Sequence, residues 1–172
     1  MVVITSEIRA FLGEGTRTGK LGYTAADGRP LVAPVWFVVE GPEDAPELVF
    51  NTGGDTAKAR AIARDPRVVV CVDLEEPPYA FVQVQGEATV SEDPAELVRT
   101  ATAIGGRYMG ADRAEEFGKR NGVPGELVVR MRPTRVVASS ALFSGEHEIG
   151  ISHAGSLYRL KITRQGKLIL NK

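Results

Sequence analysis

Asp27-Gly28-Arg29-Pro30-Leu31-Val32-Ala33-Pro34-Val35-Trp36-Phe37-Val38-Val39, then Leu48-Val49-Phe50-Asn51-Thr52-Gly53-Gly54-Asp55-Thr56-Ala57-Lys58-Ala59-Arg60, then Val68-Val69-Val70-Cys71-Val72, is the stretch that decides the fold. Asp27-Gly28 is a hairpin signal, because both central positions of a type I′ turn need positive φ. The apolar run from Pro30 to Val39 predicts one long strand, and Leu48 to Phe50 a short one. Asp55 is a good N-cap, which puts Lys58 in the first turn of a short helix. A lysine there opposes the helix dipole, since the free N–H groups already carry partial positive charge. An anion at that spot removes the conflict, so the glycines, the free N–H groups, Thr56 and Lys58 form a candidate phosphate cradle. The alternative is that Lys58 and Arg60 are ordinary solvated helix residues.

Outward from this segment the chain continues to read as β structure. Val68 to Val72 is continuously apolar, which predicts a strand covered on both faces. In Phe81 to Val90, Val82 and Val84 face one way while Gln83, Gln85 and Glu87 face the other. Leu21 and Tyr23 alternate with small residues in an early strand, and Leu127–Met131 and Arg135–Ala138 predict two late ones around Arg132-Pro133-Thr134. Ser6 is placed to cap a short helix carrying Ile8, Phe11 and Leu12. Asp93-Pro94 opens a longer helix with Leu97, Ala101 and Ile104 on one face, and a further helix runs from Asp112 to Asn121 before Gly122. About seven short, hairpin-connected strands favour a barrel or sandwich, which removes sheet edges. Trp36 and Phe37, adjacent on a strand, point to opposite faces. One belongs to the core, and the other is free to floor a ring-binding groove or an oligomer interface.

The 172 residues fit one main domain, and a net charge of −1 with pI near 6.2 argues against nucleic acid or an anionic membrane as the principal partner. No apolar run approaches the roughly 20 residues that span a bilayer, and the first residues lack the pattern of a signal peptide. A cytoplasmic protein is expected. Cys71 is the only cysteine, so no internal disulfide forms. Residues 1–143 hold 16 Lys+Arg and 20 Asp+Glu, whereas 144–172 hold 5 and 2 together with both histidines, His147 and His153. The chain is therefore read as a body, 1–143, and a basic C-terminal extension, 144–172. In the extension, Tyr158–Ile162 and Leu168–Leu170 form either a hairpin around Gln165-Gly166 or a poorly ordered tail, with no function assigned.

The body contains no histidine, which removes Ser-His-Asp, Cys-His and histidine-zinc chemistry. Glu75-Glu76 on a Pro-rich loop reads as a solvated turn, and Cys71 as a core residue. No catalytic residue and no metal ligand is assigned, so either a cofactor brings the chemistry or there is none.

Three segments, Asp27-Gly28-Arg29-Pro30-Leu31-Val32-Ala33-Pro34-Val35-Trp36-Phe37, Asp55-Thr56-Ala57-Lys58-Ala59-Arg60 and Arg64-Asp65-Pro66-Arg67-Val68, resemble the pyridoxamine-5′-phosphate-oxidase-like split-barrel proteins. They are most similar to the branch of flavin/deazaflavin oxidoreductases that use coenzyme F420, and Phe81 to Ala88 fits the same pattern. The resemblance spans about residues 6–140. It implies a mainly β fold, a six-stranded antiparallel split barrel (the FMN-binding split barrel) with short peripheral helices. It also implies a homodimer with cofactor in grooves at the subunit interface. Lys58, aided by Thr56 and Arg60, would bind the cofactor phosphate, and Pro34-Val35-Trp36 and Phe50-Asn51-Thr52 would flank the ring. Some relatives carry a further basic residue where this chain has Thr56, which keeps F420 and FMN both open. The function implied is hydride transfer between F420 and a conjugated or heteroaromatic small molecule. The alternatives are an FMN-binding oxidoreductase and a non-enzymatic split-barrel protein that holds flavin or haem.

Overall fold

A computed structural model describes residues 2–76, 79–139, 148–153, 155–163 and 168–171. Helix α1 (Ser6–Gly13) leads into β1 (Gly19–Thr24), β2 (Pro30–Val35), β3 (Val38–Glu40) and β4 (Glu47–Gly53). Helix α2 (Ala57–Arg64), β5 (Arg67–Asp73) and β6 (Phe81–Ser91) follow. Two helices, α3 (Pro94–Met109) and α4 (Ala114–Asn121), precede the long β7 (Glu126–Ala138). The C-terminal segment adds β8 (Glu148–His153), β9 (Ser156–Ile162) and β10 (Leu168–Asn171).

The first seven strands form one antiparallel sheet in the order β2-β1-β5-β6-β7-β4-β3. Its two edges, β2 and β3, are consecutive in the chain, separated only by Trp36 and Phe37. Three residues of extended chain span at most about 11 Å. The sheet must therefore curl far enough to bring the end of β2 within that reach of the start of β3, and the two edge strands are joined there by a covalent seam without pairing. The seven strands match the number read from the residues but not the six implied by the resemblance: the run Pro30–Val39 is two strands, and residues 127–138 lie in one. Apolar periodicity alone does not mark such a break.

Inside the curl, Leu21, Phe37, Phe50, Val70, Val84 and Met131 are fully or almost fully buried in one cluster. Burying each such side chain contributes about 1.5–3 kcal/mol. A smaller cluster of Val49, Leu97 and Val128 lies outside the curl, where α3 covers β4 and β7. Val68, Val70 and Val72 face inward, whereas Val69 and Cys71 are half-exposed on the outer face. The expected two-faced cover on β5 is thus absent in a single chain. The Asp27-Gly28 hairpin also differs from expectation. Gly28 N–H donates to Ala25 O at 3.0 Å and only Gly28 has positive φ (84°), which is a type I turn closed by a left-handed glycine.

β7 is one strand straight through Pro133. Its register against β6 shifts between Gln85↔Arg135 and Gly86↔Pro133, leaving Thr134 as an extra residue. β4 pairs only as far as Met131, so Pro133 lacks a donor where no β4 neighbour needs one. Gly86 is required at the bulge, since a Cβ there would meet Arg132 O at 2.3 Å. Helix caps follow the expected chemistry with one-residue shifts. Thr5, not Ser6, caps α1, and Thr56, not Asp55, caps α2, while Asp93 caps α3 with Pro94 at its first position. β8, β9 and β10 form a separate antiparallel sheet, order β10-β9-β8. The expected pairing of Tyr158–Ile162 with Leu168–Leu170 is present, and the turn at Gln165-Gly166 lies outside the described residues.

The last turn of α3 holds the seam. Phe37 N–H donates to Tyr108 Oη (3.2 Å), which itself donates to Arg17 O (2.9 Å). Arg107 donates to Phe37 O (2.7 Å), Leu12 O (2.7 Å) and Gly15 O (3.1 Å), tying the seam to the end of α1. Its guanidinium also sits 4.5 Å from the Phe37 ring centroid. Burial lowers the Arg107 proton affinity, against the pull of Tyr108, and three carbonyls take the place of a carboxylate partner. Arg107→Met leaves three carbonyls short of a donor, a cost of about 2–4 kcal/mol. The melting temperature should fall by roughly 5–15 °C; an unchanged value would show that the seam closes without this residue.

Candidate functional site

Strand alternation on β4 sends Leu48, Phe50 and Thr52 into the curl and Val49 and Asn51 outward, under α3. The strand then hands over to α2 through Gly53, Gly54 and Asp55. Thr56 Oγ1 accepts from Ala59 N–H (3.2 Å) and lies 3.2 Å from Thr52 Oγ1, which fixes the helix start against the strand end. Lys58 is the second residue of α2. It is half-buried and makes no hydrogen bond or ion pair with any described residue.

Between this strand end, the end of β2 and the α3–α4 pair lies a cleft of about 290 Å³. Five of the residues expected from sequence line it: Pro34, Val35, Trp36, Asn51 and Lys58. The other four do not. Phe50 is fully buried in the core, and Thr52 is buried beneath Thr56, whose hydroxyl is committed to the helix cap. Arg60 is exposed and donates back to the Asp55 carbonyl.

The roof was not foreseen. Ala101, Ile104 and Gly105 of α3 and Phe117 of α4 close the cleft from above, and Asn121 and Glu126 stand at its side. The signal was the Gly105-Gly106 pair inside a helix, which marks close approach of another element. A Cβ on Gly105 would lie 2.5 Å from Phe117 Cβ. Trp36, 39% exposed, stacks on Tyr108 at 4.9 Å and 3° and meets Phe117 at 6.4 Å. It leaves the strand at the seam rather than pointing from a strand face, so one aromatic wall of the cleft is set by the break itself. Asn51 carries the least comfortable atoms in the site: Nδ2 and Oδ1 are both buried without a hydrogen-bond partner.

An ion network orients the roof. Arg130 on β7 reaches Glu96 of α3 (2.5 Å), Glu47 of β4 (2.9 Å) and Glu40 of β3 (3.0 Å), and Arg99 of α3 also holds Glu40 (2.7 Å). Burial alone would raise the Glu40 carboxyl, but hydrogen bonds from Arg99 and Arg130 hold it below its usual range.

Among the described residues no serine, cysteine or histidine lines the cleft. Cys71 is half-buried on the outer face of β5, and burial, then the Asp73 carboxylate, pushes its thiol up. Among the described residues no group of His, Cys, Asp and Glu is placed to hold a metal ion, and no helix is long and apolar enough to cross a membrane. The arrangement suits a flat polar ring with an anionic substituent. Lys58 and the α2 N-terminus offer an anion site, Asn51 offers a donor and an acceptor, and Trp36 and Phe117 offer ring faces.

Residues 4–139 match the family model for pyridoxamine 5′-phosphate oxidase, and residues 136–172 match that for the hemin uptake protein hemP. The chain belongs to the pyridoxamine 5′-phosphate oxidase family. Among solved structures it is similar to a conserved hypothetical protein from Mycobacterium tuberculosis, at 22% identity and TM-score 0.68, covering 90% of this chain and 96% of that one. It is also similar to an F420 reductase, at 25% identity and TM-score 0.57, covering 74% and 94%. HupZ of group A Streptococcus shares the fold at 16% identity and TM-score 0.57, covering 81% and 94%. No curated protein matches the chain.

The roof generates a paired test. Gly105→Ala forces α4 away from α3, at about 1–3 kcal/mol, and should lower the melting temperature. Gly106→Ala meets only Ala114 Cβ at 3.4 Å and gains helix propensity, so it should leave stability level or raised. Equal effects of the two would mean that the α3–α4 contact is loose.

Proposed function

We propose that this family member is a coenzyme F420-dependent oxidoreductase that transfers a hydride between the deazaflavin and a conjugated or heteroaromatic small molecule. One observation carries the reading: an unpartnered lysine at a helix N-terminus, an unpartnered buried amide and an aromatic wall share one cleft, in a body with no histidine. The similarity to an F420 reductase at 25% identity supports F420. FMN remains the alternative cofactor for the same cleft. When bound, the deazaflavin supplies the hydride chemistry from its ring carbon. The protein's residues bind and orient: Lys58 neutralises the phosphate, Trp36 and Phe117 hold the ring, and the α3–α4 roof excludes water.

In this reading the broken strand β2–β3 counts as one, which makes the sheet the six-stranded split barrel. The protein works in the cytoplasm as a homodimer built on the outer sheet face, where Val32 is 69% exposed and Val69 half-exposed. An interface of this kind buries about 2,000 Å² or more in total. Light scattering at micromolar concentration should give twice the 18.5 kDa chain mass; a monomer would remove the homodimer from the proposal and leave the cleft within one chain to be tested by cofactor binding.

Stopped-flow mixing of the protein with reduced F420 and a panel of acceptors tests the chemistry. Turnover is expected to survive His147→Ala/His153→Ala. Lys58→Ala should weaken cofactor binding by roughly tenfold to a hundredfold, the loss of one charge-assisted contact worth about 1.5–3 kcal/mol. Folding should be little changed, since a first-turn lysine gains nothing from the helix dipole. Tight FMN binding with no F420 binding would replace the deazaflavin by the flavin. Unchanged cofactor affinity in Lys58→Ala would return the lysine to an ordinary solvated role.

A second reading, haem binding without redox turnover, rests on the hemin uptake match at 136–172, the net-basic segment that holds both histidines. Titration with haem separates the two. A Soret shift lost in His147→Ala/His153→Ala would support haem on the extension, and no shift would dismiss it.

A further inference from the structure

Asn51 is an expensive residue to place where it is. Both side-chain amide atoms are buried and neither has a partner, and among the described residues the only other such atom is Arg17 Nη1. Arg17 differs, because its Nε and Nη2 are satisfied by the carbonyl and carboxylate of Glu14. Each unmet buried donor or acceptor costs about 1–3 kcal/mol, and native proteins hold few of them. An aliphatic residue would avoid that cost, as Val49 does two positions earlier on the same face by packing with Leu97 and Val128. Pro34, Val35, Ala101, Ile104, Gly105 and Phe117 line the cleft with Asn51. Their side chains have no hydrogen-bonding atom to offer. Trp36, Lys58, Asn121 and Glu126 line the same cleft, yet none of them bonds to Asn51.

A carboxamide presents one acceptor and one donor side by side. Its complement is a ligand edge with an N–H beside a C=O, a lactam or imide, joined by two parallel hydrogen bonds in one plane. We infer that Asn51 is a specificity-determining residue that reads the imide edge of a planar heterocycle held in the cleft. This rests on the proposed cofactor reading, since the pyrimidinedione ring of a deazaflavin or flavin carries that edge. Lys58 then answers for the anionic substituent and Asn51 for the ring, so the two act on different parts of the ligand. A carboxylate or a plain amine in place of the imide leaves one of the two amide atoms unmet.

The test uses lumiflavin, which has the imide edge and no phosphate, and 3-methyllumiflavin, in which a methyl group blocks the imide N–H. Affinities come from quenching of ligand fluorescence on the full chain. Wild type should bind lumiflavin at least tenfold more tightly than its methylated form. In Asn51→Leu that ratio should collapse to near one, with a melting temperature no lower than wild type because two unmet polar atoms are gone. Asn51→Ala serves as a second variant should leucine overfill the site, and Lys58→Ala should keep the wild-type ratio. A ratio that survives in both Asn51 variants, or failure of wild type to bind lumiflavin at all, overturns the inference. F420 turnover that persists with an Asn51-independent ratio leaves the oxidoreductase reading standing without it. Discrimination through Asn51 with no hydride transfer from F420 does the reverse.

Discussion

The structure depends on how the seam at Trp36–Phe37 is held. A curled sheet whose first and last strands are joined by two unpaired residues leaves backbone groups there with no ladder partner, and unmet buried backbone groups are costly. Phe37 resolves this by giving its N–H to Tyr108 and its carbonyl to Arg107. The same two side chains hold carbonyls of Leu12, Gly15 and Arg17. One helical turn therefore joins the seam, α1 and the base of the α3–α4 pair. No carboxylate among the described residues pairs with Arg107, and three carbonyls with the Phe37 and Tyr108 rings take that role. Because the seam also throws Trp36 out of the sheet and onto Tyr108, the interaction that closes the fold also builds a wall of the cleft.

The other end of α3 is fixed by charge. Arg130 gathers carboxylates from β3, β4 and α3, and Arg99 repeats the link to β3. With both ends anchored, the roof over β4 has little freedom, and the cleft beneath it keeps its shape. Polar groups around the cleft are paired wherever they serve the fold: Thr56 caps, Arg60 braces the loop, Arg130 bridges. Lys58 and the buried amide of Asn51 have no such partner among the described residues. Residues that break local rules without compensation inside the fold are where function is expected to be found.

Much of this was legible in the sequence where a residue has one chemical reason for its place. Asp93-Pro94 can hardly be other than a helix start, and the alternation of Val82, Gln83, Val84 and Gln85 has one strand reading. The place of Lys58 in a first turn was legible because the dipole argument is local, and the structure puts it there. The seam was not legible, since Val35-Trp36-Phe37-Val38 is apolar throughout and a broken strand reads like an unbroken one. β7 was read as two strands because Pro133 usually ends pairing, but here it coincides with the end of β4. The cap of α2 moved from Asp55 to Thr56 because adjacent residues with the same capacity compete, and Thr52 decides it from outside the helix. Phe50 and Asn51 were placed together on the ring, yet strand alternation separates them into core and cleft. The roof residues Gly105 and Phe117 meet through tertiary packing, which pattern and propensity do not encode.

The central claim is that one cleft, closed by the seam and roofed by α3 and α4, holds the redox cofactor. A crystal structure of the protein grown with F420 tests it most directly. The account predicts the ring between Trp36 and the α3–α4 roof, with its imide edge on Asn51 and its phosphate within hydrogen-bonding distance of Lys58 Nζ. Density for F420 on the outer face of β5 and β6 or on the C-terminal sheet, with the Asn51 cleft empty, would contradict it.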